Sequence, residues 1–308
     1  MSHMGSGERD LIVVGGGIAG MTATIYAARA ALDVVMLEKE VCGGLANSSW
    51  NIENFPSYQS VPGLELMQKI RSHVESYQVA IEEVTEVTHI RVESRRTLIE
   101  TPSGQYAAKA VIVATGASPI RLPIESDCGE RVHYCSLCDG PAYKGRDVIV
   151  VGGGNTGFDE SVSLVNLGVR SVVIVECLSM CRAEQSIQKQ AFSTGRITAR
   201  TESRLNAVIP HADRVLVTIE HLRSGLIDDV VADGVFVFIG QKPNTSMLEG
   251  NVELDKAGYV IADALMHTNR PGVFAAGDVV AKRYRQLTTA MADGTIAALE
   301  AARCLRER

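Results

Sequence analysis

The sequence has little of what marks nucleic-acid-binding or membrane proteins. Its 308 residues carry a net charge of −6, so it has no excess of basic residues for nucleic acid or for an anionic membrane surface. No apolar run approaches the roughly 18 residues that a membrane helix needs, and the first residues contain no apolar signal region. We therefore expect a cytoplasmic protein that has neither nucleic acid nor a membrane as its partner.

Cysteine is also too scarce for a protein built on disulfides. The chain has seven cysteines, and an odd number in a chain this long does not describe a disulfide framework. Two of them, Cys135 and Cys138, form a C-x-x-C pair. The other five have no partner at a chemically meaningful spacing, and we predict that they are buried free thiols: Cys42, Cys128, Cys177, Cys181 and Cys304.

What the sequence does contain is one motif that occurs twice. Residues 10–20 and 147–157 each join an apolar strand pattern to G-x-G-x-x-G, and each is followed by a glutamate, Glu38 or Glu176, where the next strand should end. In such motifs the glycines allow a tight turn, a close approach to a pyrophosphate and helix packing, while the carboxylate accepts a ribose 2′-hydroxyl. The glutamates follow the first glycine by 23 and 24 residues, so the two copies match. They predict two dinucleotide-binding sites.

The order of these patterns predicts an α/β fold with two Rossmann-like dinucleotide-binding domains, the second inserted into the first. Hydrophobic residues make up 46% of the chain, which suits parallel strands buried on both faces. We predict antiparallel meanders at about 79–108 and 198–240, and a long helix at 287–304. The predicted domains are residues 8–116 together with 243–308, and the inserted residues 117–242.

Cys135-Ser-Leu-Cys138 is followed directly by Asp139. Two intervening residues let both sulfurs meet at a helix start, where the helix dipole stabilises a thiolate. The pair therefore predicts a redox couple. The alternative is half of a zinc site with His133 or Cys128, but the second C-x-x-C that such sites usually need is absent, so we expect no metal.

Taken together, the motifs give the chain a strong resemblance to the small, FAD-containing thioredoxin reductases, from residue 10 to about residue 304. The resemblance is carried by the first glycine motif with Glu38, the C-x-x-C with Asp139, the second glycine motif, and the segments 53–56, 114–116, 240–245, 276–278 and 285–286. Each short segment alone is commonplace, whereas the set is specific.

This resemblance implies a set of site residues. Reduced flavin passes electrons to the Cys135–Cys138 disulfide; Cys138 faces the flavin, Cys135 attacks the disulfide of thioredoxin or a thioredoxin-like protein, and Asp139 manages the thiol proton. It also implies a homodimer, and hinges near 116–119 and 240–245. The residues expected to hold FAD are Gly15, Gly17, Gly20, Glu38, Asn54, Thr115, Gly116, Gly277, Asp278, Gln286 and Leu287.

The second dinucleotide motif departs from that family. The family usually places a histidine and two arginines after the second strand, where they pair with the 2′-phosphate of NADPH. This chain has Glu176, Cys177 and Leu178 there, so we expect NADPH to bind badly. Two alternatives remain. Either NADH binds through Gly152, Gly154, Gly157 and Glu176, as the resemblance of 176–184 to the NADH-using flavoprotein subunit of alkyl hydroperoxide reductase implies, or the flavin is reduced directly by ferredoxin or another donor.

A further departure lies in the loop after the first glutamate, where Leu45 replaces a common glutamine and Trp50 follows. A lone tryptophan usually belongs to a core or a dimer interface, and the sharper alternative is that it covers the flavin. Two other functions share the same motifs. One is a flavin-dependent dithiol oxidase that passes electrons to oxygen, and the other is a redox sensor whose C-x-x-C only reports redox state.

Overall fold

The computed structural model describes residues 7–49, 52–94, 96–124, 131–248 and 250–307. The chain divides into two compact units. Unit 1 extends to Ser118 and resumes at Lys242, and unit 2 is Pro119–Gln241. No helix in the described ranges is long and apolar enough to cross a membrane.

Unit 1 is a seven-stranded sheet with helices packed on it. The order is β3-β2-β1-β6-β5-β4, and β17 also pairs with β6. The contacts of β1 with β2 and β6, of β2 with β3 and of β17 with β6 are parallel, whereas β4-β5 and β5-β6 are antiparallel. The elements are β1 (Arg9–Val14), α1 (Ile18–Arg29), β2 (Val34–Leu37), α2 (Gly63–Glu75), β3 (Ala80–Glu82), β4 (His89–Val92), β5 (Thr97–Thr101), β6 (Gly104–Val113), β17 (Val273–Ala275) and α6 (Leu287–Arg306).

Strand β1 shows why the sheet is buried on both faces. Leu11 and Val13 belong to the core beneath α1 and α6, while Ile12 and Val14 belong to the core on the opposite face. Side chains alternate between the faces of a strand, so a continuous apolar run feeds two cores at once. The pattern seen in the sequence is therefore the pattern of a covered parallel sheet.

Unit 2 repeats this plan on a smaller scale. Its parallel sheet has the order β11-β10-β9-β15-β8, and an antiparallel sheet β12-β13-β14 packs beside it. The elements are β8 (Val132–His133), α3 (Ser136–Asp139), β9 (Asp147–Val151), α4 (Asn155–Asn166), β10 (Ser171–Val175), α5 (Gln185–Ser193), β11 (Ile197–Arg200), β12 (Ser203–His211), β13 (Arg214–His221), β14 (Ile227–Ala232) and β15 (Gly234–Val237). The two connecting strands, β7 (Ala117–Pro119) and β16 (Gln241–Pro243), pair with each other.

The α/β fold with two Rossmann-like halves is confirmed, and so is the long last helix. The predicted antiparallel meanders were wrong in their outer strands. The first strand of each, β3 or β11, pairs in parallel with β2 or β10 instead of joining the antiparallel strands. The last strand of the second meander, β15, likewise pairs in parallel with β9 and β8. The physical reason for β3 and β11 is that each follows a helix, α2 or α5, and a helical crossover returns the chain to the parallel sheet.

Candidate active site

The C-x-x-C pair is a disulfide in unit 2. Cys135 and Cys138 are bonded, with a Cα–Cα distance of 5.4 Å, and Cys135 immediately precedes the single-turn helix α3. The Cys135 Sγ also accepts a hydrogen bond from the Cys138 N–H at 3.1 Å. Cys138 is exposed and Cys135 is half-buried.

Helix α4 holds the redox turn in place. Ser136, inside the C-x-x-C, is fully buried and donates a hydrogen bond to the carboxylate of Glu160 on α4. Gly140 lies so close to α4 that a Cβ there would be 2.8 Å from Leu167. Burial raises the pKa of Glu160. Glu160 could not be predicted from the sequence, because a glutamate in the middle of an amphipathic helix carries no local signal.

Asp139 lies at the edge of a cavity of about 350 Å³ beside Cys138. Its Oδ2 is 3.2 Å from Nδ1 of His133, and Nε2 of His133 is 2.6 Å from the Tyr143 hydroxyl. His133 thus contacts Asp139 rather than joining a cluster of metal ligands. Among the described residues the one group of that kind is His267, Glu300 and Cys304 of unit 1, where Glu300 is already paired with Arg303. Cys128 lies outside the described residues.

The first glycine motif forms a closed turn with one open position. A Cβ at Gly15 would lie 2.4 Å from the Ala114 carbonyl oxygen, and one at Gly20 would lie 1.8 Å from that of Gly15. Gly17, in contrast, has nothing described within 4 Å of its Cβ position. Glu38 Oε2 accepts a hydrogen bond from the Gly16 N–H at 2.5 Å, which holds the carboxylate over the loop.

Other residues expected around FAD are brought together within unit 1. Asn54 donates a hydrogen bond to the Gln286 side chain at 3.0 Å. Thr115 donates to the Asn244 carbonyl at 2.6 Å, and the Asn244 side chain returns a bond to the Thr115 carbonyl at 2.8 Å. The N–H of Asn244 donates to the Gly116 carbonyl at 3.0 Å. In the sequence Asn244 was only part of a segment that carried the family resemblance. The structure shows that these three hydrogen bonds hold the 115–116 turn.

The polar atoms left over in unit 1 fit a bound cofactor. Asp278 Oδ1 and Asn47 Oδ1 are buried without a hydrogen-bond partner among the described residues, and such atoms call for an external partner. Burial raises the pKa of Asp278, and the Lys282 ammonium lies 3.7 Å away. Gly277, with φ +82°, leaves room for Ala19, and Leu287 begins α6. An FAD held over Gly17 is compatible with this donor and acceptor set.

The second glycine motif has the same construction. Gly152 (φ +117°) and Gly157 approach the carbonyl oxygens of Phe238 and Gly152, at 2.2 and 1.9 Å from their Cβ positions, and Gly154 meets nothing described within 4 Å. Glu176 Oε2 accepts from the Gly153 N–H at 2.7 Å, as Glu38 does from Gly16.

Glu176 is 8% exposed and is held as an anion. Burial raises its pKa, but the backbone N–H groups of Leu178 and Gly153 outweigh this effect and lower the pKa below the ordinary glutamate value. Leu178 donates to Oε1 at 2.9 Å, so both carboxylate oxygens have backbone donors. A fixed negative charge therefore lies at the position where motifs of this kind hydrogen-bond the adenosine ribose of a dinucleotide.

The free thiols only partly match the prediction. Cys42 is buried, and burial raises the pKa of its thiol to about 12. Cys181 and Cys304 are half-buried, and Cys177 is exposed, so the prediction of burial was wrong for Cys177. The reason is that Cys177 lies two residues beyond the end of β10, after the buried Glu176. Of the two unusual loop residues, Leu45 is exposed, and Trp50 lies outside the described residues.

Comparison with known proteins gives a consistent result. The family described as pyridine nucleotide-disulphide oxidoreductase matches residues 9–294. The chain is 36% identical to the thioredoxin reductase of Treponema pallidum, and 37% identical to a "34.2 kDa protein in rubredoxin operon" of Clostridium pasteurianum, in each case over 96% of both chains. The crystal structure of Lactococcus lactis thioredoxin reductase superposes with a TM-score of 0.93 at 32% identity, covering 98% of this chain and 100% of that one.

Proposed function

This chain belongs to the pyridine nucleotide-disulphide oxidoreductase family and is an FAD-dependent oxidoreductase of the small thioredoxin reductase type, and on that premise we propose that it reduces thioredoxin or a thioredoxin-like protein with electrons from NADH rather than NADPH. The observation that carries the choice of donor is Glu176. Its carboxylate is anchored on Gly153 in the way that Glu38 is anchored on Gly16.

Two features of the second glycine motif support NADH as the donor, namely the charge of Glu176 and the shape of the glycine turn. A carboxylate accepts a hydrogen bond from a free ribose 2′-hydroxyl but repels a 2′-phosphate. The glycine turn beside it keeps the closed construction of the first motif, with an open position at Gly154 for a pyrophosphate. A loop built in this way fits an adenine dinucleotide that lacks the phosphate.

Bound FAD would supply the two electrons that reduce the Cys135–Cys138 disulfide to two thiols. The Cys135 thiolate then attacks one sulfur of the partner disulfide, a mixed disulfide forms, and the other partner sulfur leaves as a thiolate that takes a proton. Cys138 then attacks the Cys135 sulfur, which restores the enzyme disulfide and releases the second partner thiolate. Asp139, 3.2 Å from His133, is the group that holds and donates the proton.

The residues proposed to hold FAD are those of the first motif and its neighbours. Gly17 lets the backbone approach the pyrophosphate, and Glu38 binds the adenosine ribose. The Asp278 carboxylate binds the ribityl chain or the phosphate beside it, and the paired Asn54 and Gln286 lie next to the ring. These assignments are supported by the buried Asp278 Oδ1, which has no hydrogen-bond partner in the described part of the chain, and by the hydrogen bond between Asn54 and Gln286.

A second candidate donor is reduced ferredoxin, which would dock near the flavin and leave the second motif unused. The observation that favours it is the relative from Clostridium pasteurianum, whose name associates it with a rubredoxin operon and therefore with a small redox protein. The same proposal includes a homodimer, as expected for this family.

The test is an anaerobic reduction of the FAD-loaded enzyme, followed by flavin absorbance. We expect rapid bleaching by NADH, slow bleaching by NADPH, and recovery of the oxidised spectrum when oxidised thioredoxin is added. Rapid bleaching only by reduced ferredoxin would select the second candidate. Bleaching by NADPH as fast as by NADH would contradict the argument from Glu176. Peroxide formation from a dithiol and oxygen, without transfer to thioredoxin, would identify a dithiol oxidase instead.

A further inference from the structure

A line of three hydrogen-bonding side chains lies beside the redox disulfide. Asp139 Oδ2 is 3.2 Å from His133 Nδ1, and His133 Nε2 is 2.6 Å from the Tyr143 hydroxyl. All three side chains border the cavity of about 350 Å³ that also reaches Cys138. The resemblance to thioredoxin reductases assigns a role to Asp139 but none to His133 or Tyr143.

The fold fixes the orientation of His133. It ends β8, which pairs with β15, and its ring packs against Phe236 of β15 at 5.0 Å and against the edge of Tyr143 at 5.2 Å. The Tyr143 ring occupies the space over Gly234, where a Cβ would lie 2.4 Å from it. The His133 side chain is 13% exposed, so its two nitrogens are committed to Asp139 and Tyr143.

The hydrogen-bond partners also fix the neutral tautomer of His133. A carboxylate accepts, so Nδ1 carries the proton towards Asp139, and Nε2 accepts from the Tyr143 hydroxyl. Burial lowers the pKa of His133, although Asp139 raises it, and Arg131 lowers it further. The other charged groups around this cluster are Arg146, which lines the cavity, and Asp233, which approaches Arg146 and accepts from Arg131 through its carbonyl.

We propose that His133 is the positioning residue for Asp139: it holds the carboxyl group towards the cysteines and returns a proton to it from the water of the cavity. This inference rests on the proposed function, because it assumes that Asp139 protonates a leaving thiolate. The Asp139 carboxylate takes the Nδ1 proton of His133 while Nε2 takes one from the Tyr143 hydroxyl, which regains one from water, so the ring stays neutral. Asp139 then gives its proton to the leaving thiolate, and proton exchange between the ring and the water of the cavity restores the Nδ1–H tautomer beside the carboxylate. No electrons move in these transfers.

The experiment compares two small disulfides with the reduced, FAD-loaded enzyme, freed of reductant. Hydroxyethyl disulfide releases an alkyl thiolate that needs a proton, whereas Ellman's reagent releases an aromatic thiolate that is stable without one. We expect His133→Ala to slow the reaction with hydroxyethyl disulfide roughly tenfold or more, and to leave the reaction with Ellman's reagent within about twofold. His211→Ala, at an exposed residue of β12, is the matched control.

Two further variants separate positioning from a merely structural role. His133→Asn keeps a donor near Asp139 but neither passes on a proton nor titrates. It should recover the part of the rate that depends on positioning and lose the His-dependent limb of the pH profile, which the lowered pKa of His133 places below about pH 6.5. In an Asp139→Asn background, His133→Ala should cause no further loss, since His133 acts through Asp139.

The inference is overturned if His133→Ala slows both disulfides equally, if it slows neither, or if its effect multiplies with that of Asp139→Asn. These readouts use no thioredoxin and no nucleotide. One outcome separates the two proposals: the wild-type enzyme fails to reduce thioredoxin while His133→Ala still selectively slows the reaction with hydroxyethyl disulfide. In that case the proposed function fails and the role of His133 stands.

Discussion

The expected preference for NADH over NADPH depends on the charge of one buried carboxylate, and substitutions at and after Glu176 should reverse it. Glu176→Gln removes the charge and keeps a side chain of similar size. Adding Cys177→Arg and Leu178→Arg to Glu176→His introduces three side chains that can donate to a 2′-phosphate. Cys177 is exposed and Leu178 is half-buried, so the longer side chains can extend from the rim without disturbing the core.

The size of the effect follows from Coulomb's law. A single negative charge about 5 Å from a phosphate charge, at an effective dielectric constant near 20, costs about 3 kcal/mol, which is roughly a hundredfold in affinity. Glu176 is 8% exposed, so solvent screens this repulsion little. Glu176→Gln should therefore improve NADPH binding roughly a hundredfold, and the triple variant should go further, since each charge-assisted bond to the phosphate contributes about 1.5–3 kcal/mol.

The measurement is the nucleotide concentration dependence of anaerobic flavin bleaching, for NADH and NADPH in parallel. Glu220→Gln, which removes a carboxylate from β13 in the same unit, is the control and should change neither nucleotide. The reasoning is refuted if the wild-type enzyme binds NADPH as tightly as NADH, or if Glu176→Gln leaves the ratio of the two affinities unchanged.

Three further predictions concern the loops and the stability of the enzyme. Gly157→Ala should prevent folding of unit 2, because its Cβ would lie 1.9 Å from the Gly152 carbonyl oxygen. Gly154→Ala, whose Cβ meets nothing described within 4 Å, should leave thermal unfolding unchanged and slow only flavin bleaching by NADH. An unaltered rate of bleaching by NADH would show that this loop does not hold the donor. Asp278→Leu should weaken FAD retention in dilution and gel filtration while preserving circular dichroism, and full retention would remove Asp278 from the cofactor site. Hydrogen bonds from Arg170, and a further one from Ser171, lower the pKa of Asp147 from its ordinary value of 3.8 to about 2. The ionised carboxylate therefore stabilises the fold above about pH 4, and this contribution is lost as the pH falls towards 2. Asp147→Asn should then cost about 1 kcal/mol in urea unfolding at pH 7, discounted for the exposed Arg170, and the difference should vanish near pH 2; a cost independent of pH would contradict this assignment.

The glycine motifs and the C-x-x-C pair were readable because their constraints are local. A tight turn needs glycine at Gly15 and Gly152, where φ is +107° and +117°, and such needs appear in any single sequence. The same holds for the strands β1 and β9, whose unbroken apolar runs predict burial on both faces. The position of Glu38 and Glu176 after the second strands was likewise a matter of spacing.

The edges of the sheets were not readable in this way. Strands β3 and β11 have few residues and mixed burial, so their pattern does not distinguish a parallel neighbour from an antiparallel one. The helix that precedes each strand, α2 or α5, determines that the strand pairs in parallel. The exposure of Cys177 was not predicted for a similar reason: Cys177 lies two residues beyond the end of β10, where the chain leaves the sheet and the sequence pattern no longer indicates burial.

The two glycine loops, the C-x-x-C pair and the glutamate after each second strand could be predicted from the chain's own letters. The support of the acid beside the cysteines could not, because it depends on the tertiary fold. His133 precedes Asp139 by six residues, but the Phe236 ring that holds it comes from a strand about a hundred residues later, and the Asn244 clamp on Thr115 spans a comparable distance. Hydrogen bonds between such distant segments depend on sheet order and register, which emerge from packing the whole chain and leave no trace in local spacing.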